Sequence, residues 1–132
     1  MAKLRHIAMV VEDIEKTAQF YEKSFEMKRV RRTPTAIGLS DGVVSLVIID
    51  SNNANMKGDP KRGVHHFGFV VDDVDAKGKT VEENGAHYHG ELRDRAKPRA
   101  VGERKYSDPT GQIFDLTCVE YARDTWQVDV TK

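Results

Sequence analysis

The feature that most constrains this chain is an internal repeat: HIAMVVEDIE at residues 6–15 aligns without a gap on HFGFVVDDVD at 66–75, 60 residues later. Similarity at a fixed offset marks two copies of one structural unit. In each copy an apolar run of strand character ends at acidic residues and passes into a segment with helical spacing. Asp13 and Asp73 fall where a carboxylate can accept from the exposed N–H groups of a first helical turn. Ile14, Thr17, Ala18, Tyr21 and Phe25 then recur at three- and four-residue steps, so the spacing predicts an amphipathic helix over 13–25. The second helix, over 74–84, carries Gly78 in its middle and is stopped by Gly85.

Three short strands follow each helix, near 27–33, 35–40 and 43–50 and again near 86–92, 103–107 and 112–120, separated by turn signals such as Asp41-Gly42 and Asp108-Pro109-Thr110-Gly111. The expected architecture is βαβββ twice in one α+β domain spanning 1–132. Repeat one covers about 3–50, a polar linker 51–63, repeat two about 64–121, and a tail 122–132 carries Trp126 and Val128. A chain of 132 residues can bury a core without staples, and its single cysteine, Cys118, forms no internal disulfide.

Twenty-one basic residues against 21 acidic ones remove the overall basicity of a dedicated nucleic-acid binder. The longest apolar stretch, 43–49, is far short of the ~20 residues that span a bilayer. With no N-terminal targeting pattern either, the expected location is the cytoplasm.

Side chains alternate across a strand, so His6, Ala8 and Val10 share one face while Ile7, Met9 and Val11 share the other. The same parity selects His66 over His65 in the second copy. On the last strand Asp115 stands between Phe114 and Leu116 and needs a partner, because an unpaired buried carboxylate costs several kcal/mol. Two imidazoles and one carboxylate converging from three strands form a facial donor set for a divalent ion. Fe(II) leads, with Mn(II), Ni(II) and Zn(II) chemically admissible.

The paired segments, the helix end TAQFYEKSFEM and the closing SDPTGQIFDL together resemble the vicinal oxygen chelate superfamily, which holds glyoxalase I, bleomycin-resistance proteins and extradiol dioxygenases. The resemblance covers 3–121. It implies that each unit curls into a cupped half-barrel and that a metal sits on the floor of the cup, often in a homodimer. It places ligands at His6, His66 and Asp115, the last shorter by one methylene than the family's usual glutamate, so that the ion sits nearer that strand or is held through one oxygen. A fourth family position falls at Leu46 or Ser45, neither a good ligand.

A three-ligand site resembles the extradiol dioxygenases, which makes ring cleavage of a catechol-like diol the leading expectation. A glyoxalase-like lyase or epimerase is the alternative, and a metal-free drug-binding protein the second alternative. Tyr106 and His89 are candidate acid–base groups, with His87 on the same face as His89. The basic run 93–105 is a candidate lid, which would favour an anionic small-molecule substrate. Arg29, Arg31 and Arg32 carry a related question, since simple alternation turns only one parity class inward.

Overall fold

A computed structural model describes residues 1–53, 56 and 60–132; the middle of the expected linker, 54–55 and 57–59, lies outside the described residues. Among the described residues eight strands form a single sheet: β1 (Ala2–Val11), β2 (Lys28–Thr33), β3 (Ala36–Ser40), β4 (Ser45–Asp50), β5 (Gly63–Val71), β6 (His87–Arg93), β7 (Gly102–Ser107) and β8 (Ile113–Cys118). Their order is β2-β3-β4-β1-β5-β8-β7-β6. The first strands of the two repeats pair antiparallel at the centre, and each pairs in parallel with the last strand of its own repeat. This is the α+β fold with two βαβββ units that the sequence pattern implies.

Helices α1 (Ile14–Phe25) and α2 (Val74–Glu83) start where the acidic caps predict, with Asp13 accepting from the Lys16 amide and Asp73 from the Ala76 amide, both at 3.0 Å. Each helix covers the same side of its half-sheet. Ile14 and Ala18 of α1 pack on Ile37, Leu39 and Ile48, while Val74 of α2 packs with Val71, Phe114 and Leu116. Burying an aliphatic chain of this kind stabilises by about 1.5–3 kcal/mol, so the two clusters lock the helices to one side and leave the other side concave. Among the described residues no helix is long and apolar enough to cross a membrane.

The last strand ends at Cys118, two residues before the sequence pattern suggests. The chain then turns helical over Val119–Tyr121 and widens into a π-helical turn, Ala122–Trp126. The tail packs into the concavity, where Ala122, Trp126 and Val128 cluster with Val70 from the cup-facing side of β5. Hydrogen bonds from Ser40 to the Gln127 carbonyl and from the Asp129 amide to the Gly42 carbonyl hold it there.

Candidate metal centre

Strand parity brings His6, His66 and Asp115 together from β1, β5 and β8, with one potential ligand atom of each lying within 4.8 Å of the others. The Nε2 atoms of His66 and His6 stand 3.2 and 3.7 Å from Asp115 Oδ2. Ligand bonds of about 2 Å at right angles set neighbouring donors about 3 Å apart, so small side-chain movements suffice to close this group around one ion. All three residues are buried, and Oδ2 of Asp115 has no hydrogen-bond partner among the described residues. A bare carboxylate oxygen facing two imidazole nitrogens in the interior is the arrangement that a cation resolves.

Each donor is held from behind. The Nδ1 of His6 is 3.1 Å from Ser45 Oγ, and the Nδ1 of His66 is 2.8 Å from the Nδ1 of His65. An ion at the shared centre would need the imidazole protons on Nδ1, leaving each Nε2 lone pair to it as in metal sites whose ligands are oriented by outer partners; in the metal-free protein a proton on His66 Nε2 instead lies toward Asp115 Oδ2, 3.2 Å away. His65, which parity turns away from the other two donors, thus meets His66 from behind. Asp115 Oδ1 accepts from Lys105 Nζ at 2.9 Å across the β7–β8 pair, which leaves Oδ2 as the oxygen that a metal would find free.

Burial lowers the His6 pKa to about 4 despite the opposing carboxylates of Glu103 and Asp115, so the ring is neutral and ligand-ready near neutral pH. Burial works against the charge on Asp115, but the His66 ring and the Lys105 ammonium outweigh it and hold the carboxyl at about 2. Burial likewise pulls Lys105 down, and the charges of Glu103 and Asp115 more than offset it, so the ammonium is held above its ordinary value.

Above the three donors lies a cavity of about 330 Å³. Trp126 forms part of its wall, stacked on His6 with ring centroids 4.4 Å apart and planes 10° from parallel. Its Nε1 donates to Glu103 Oε1 at 3.0 Å, and Glu103 Oε2 accepts from Lys105 at 3.1 Å. Tail, β7 and β8 therefore form one connected support for the donors. Gly68, opposite Asp115 on β5, is required by close approach: a Cβ there would lie 3.1 Å from His6 and from Trp126.

Several sequence expectations change in the fold. Tyr106 does not reach the cup; it packs in the cluster under α2, and a Cβ on Gly78 of that helix would lie 2.6 Å from its hydroxyl. Alternation along β7 sends Glu103 and Lys105 into the cavity and Arg104 and Tyr106 to the helix side. His89 is exposed near the sheet edge, 2.7 Å from Ser107 Oγ, and does not line the cavity. The fourth family position is neither Leu46 nor Ser45. Pairing of Gly68 with Asp115 is matched in repeat one by pairing of Ala8 with Val47, so Val47 is the counterpart of Asp115, and it lines the cavity as a non-ligand. Leu46 packs against the α1 cluster.

Of the 93–105 segment, Glu103 and Lys105 line this cavity and Arg93 and Asp94 line the compartment beside it, while Arg99 pairs with Glu91, Lys97 with Glu120 and Arg104 with Asp75. Glu103, Lys105 and Trp126 are the site residues that sequence reasoning missed. The alternation of β7 against Asp115 was the available signal for the first two; the fold-back of the tail had none.

A model of the Glyoxalase/Bleomycin resistance protein/Dioxygenase superfamily matches residues 3–116, and the chain belongs to that superfamily. No curated protein matches it in sequence. Among solved structures, it resembles a hypothetical protein of Bacillus halodurans (TM-score 0.69, 19% identity, covering 89% of this chain and 94% of that one). It also resembles a methylmalonyl-CoA epimerase of Streptomyces coelicolor (TM-score 0.64, 19% identity, 88% and 96% covered). A third likeness is to a 4-hydroxymandelate synthase variant of the same organism (TM-score 0.68, 18% identity, 89% and 48% covered). At these identities the likenesses speak to fold.

Proposed function

We propose that this chain is a metal-dependent enzyme that chelates a small substrate through two adjacent oxygens, and that it opens the ring of a catechol-like diol with dioxygen. The observation that carries the metal is the unpartnered, buried Asp115 Oδ2 facing two imidazole nitrogens. His6, His66 and Asp115 would hold the ion; Fe(II) suits ring cleavage, and Mn(II), Ni(II) and Zn(II) suit the same donors. When bound, the ion supplies Lewis-acid polarisation of the substrate oxygens and a redox partner for dioxygen.

The chain's own residues do the rest. Val47, where a fourth protein ligand would stand, offers no donor atom, so the remaining positions belong to small molecules. Trp126 and Ser45 hold the His6 ring in place. Trp126, Val47 and Ile49 line the pocket with apolar surface that excludes water from one side of a bound ring. The Lys105–Glu103 pair is the charged, hydrogen-bonded pair beside the donors, where neither Tyr106 nor His89 reaches.

A lyase or epimerase of the glyoxalase kind is the second reading, favoured by Glu103, a carboxylate lining the cavity that is able to take a proton from carbon. Metal-free drug binding gives no role to the bare Oδ2.

Oxygen uptake with catechols after anaerobic Fe(II) loading separates these. Substrate-dependent consumption that disappears in His66→Ala supports ring cleavage; isomerisation of hemithioacetals or epimerisation with Ni(II) or Zn(II) and no oxygen uptake supports the second reading.

A further inference from the structure

We propose that the substrate carries a carboxylate in addition to its chelating oxygens, and that Lys105 and Arg31 read it; this rests on the chelating enzyme proposed above and names its substrate class. The first observation is an unspent donor. An ammonium has three N–H groups. Lys105 gives one to Asp115 Oδ1 and one to Glu103 Oε2, and both carboxylates are far more buried than the lysine side chain, which keeps 28% of its surface exposed. The third N–H is left for the cavity that Lys105 lines.

The second observation is a bulge. Arg29 pairs with Leu39 and Arg31 with Gly38, so Val30 is an extra residue in β2. In a regular strand Arg29 and Arg31, two residues apart, would share a face. With the bulge Arg29 turns onto α1, where it pairs with Glu15 and Glu22, while Arg31 turns into the cup and lines the cavity. Bulges that re-aim one side chain are a recurrent device beside binding sites. Arg31 forms no ion pair with a carboxylate among the described residues; the group beside it is the Tyr121 hydroxyl. This contrasts with Arg29, Arg99 and Arg104, each held by an acidic side chain. Arg31 also lines a second compartment of about 440 Å³ that shares Val30, Leu92 and Thr125 with the inner cavity, so it stands where the two meet.

The third is charge balance. Asp115 and Glu103 offset Lys105 and Arg31, so a divalent ion leaves the pocket two positive charges in excess. A diol that gives up one proton and bears a carboxylate is the dianion that neutralises it, in a partly enclosed site where such matching is stronger than in water.

The test measures binding of catechol, 2,3-dihydroxybenzoate and 3,4-dihydroxybenzoate to the Co(II)-loaded protein, and of phenol and benzoate to the metal-free protein. Fluorescence of Trp126, the single tryptophan, which lines the cavity, reports both. A carboxylated diol is expected to bind about ten-fold more tightly than catechol, the scale of one charge-assisted hydrogen bond. The advantage is expected to shrink toward unity in Arg31→Gln and in Lys105→Gln; Arg31 is exposed, so its variant folds even if loss of Lys105 disturbs Asp115. Metal-free protein is expected to prefer benzoate to phenol.

Equal binding of carboxylated and plain ligands to the wild type, or an advantage undiminished in both variants, overturns the proposal. A benzoate preference in a protein that retains no Co(II) upholds carboxylate recognition while removing the metal reading. Co(II) retention without any carboxylate preference does the reverse.

Discussion

At the scale of single residues, the site is a set of donors whose orientation is set by their neighbours. In the proposed centre His66 supplies one of three donors, so His66→Ala is expected to abolish stoichiometric metal retention. His65→Ala leaves all three donors but frees the ring that His65 holds at 2.8 Å, and is expected to weaken metal binding by about ten-fold, the lower end for loss of an orienting partner. Competition against a chelator measures both; equal affinity of wild type and His65→Ala would show that the His65–His66 contact does not orient the ligand. Acid response follows from His6. Its folded pKa of about 4 lies below the ordinary 6.5, so as pH falls between these values the unfolded chain takes up a proton that the folded one refuses. Metal-free protein therefore loses stability over that window, by about 2 kcal/mol at pH 5. Asp115 adds a loss at lower pH: its contribution is complete above the ordinary 3.8 and disappears as pH falls through about 2. Urea midpoints at pH 7 and pH 5 check the His6 effect, which a His6→Gln variant should lack.

At the scale of elements, the central strands and the tail decide the geometry together. A methyl group at Gly68 would lie 3.1 Å from the His6 Cβ and Cδ2 and from the Trp126 ring, so Gly68→Ala is expected to shift both rings and destabilise by about 1–3 kcal/mol. Trp126→Ala removes a buried indole from the cluster with Val70 and is expected to cost about 3–5 kcal/mol, with metal affinity falling as His6 loses its stacking partner. Thermal unfolding with and without Co(II) separates the two effects; a Trp126→Ala protein with unchanged Co(II) affinity would confine the indole to a packing role. Much of this level was legible beforehand. The 60-residue repeat exposed the paired strands, the acidic caps located both helices, and parity chose the faces of His6, His66 and Asp115. Parity failed where the ladder is irregular or was not compared across strands. The bulge at Val30 splits Arg29 from Arg31, and alternation along β7 turns Tyr106 under α2 while bringing Glu103 and Lys105 inward. The tail was not legible at all, because a π-helical turn carrying one indole into a cup has no periodic signature.

At the scale of the whole molecule, the two repeats meet along β1 and β5, so that one chain supplies every donor and every wall residue described. Because all three candidate donors lie on one chain, a homodimer of the kind the family resemblance implies would not have to supply a ligand. Metal content is therefore expected to stay at one ion per chain on dilution through any change in oligomeric state, as followed by metal analysis of size-exclusion fractions; loss of the ion on dissociation would mean that a second copy completes the site. The same cup accommodates different reactions within this superfamily, and what distinguishes this one is local: Val47 where a ligand could stand, and Lys105 fastened to the carboxylate of Asp115.

The most direct measurement is X-ray absorption at the metal edge of protein loaded with one equivalent of Co(II). The predicted spectrum shows two imidazoles and oxygen donors at about 2 Å, and one imidazole fewer in His66→Ala. A spectrum with no imidazole scattering, or one unchanged by loss of His66, would contradict convergence of the three side chains on a shared ion.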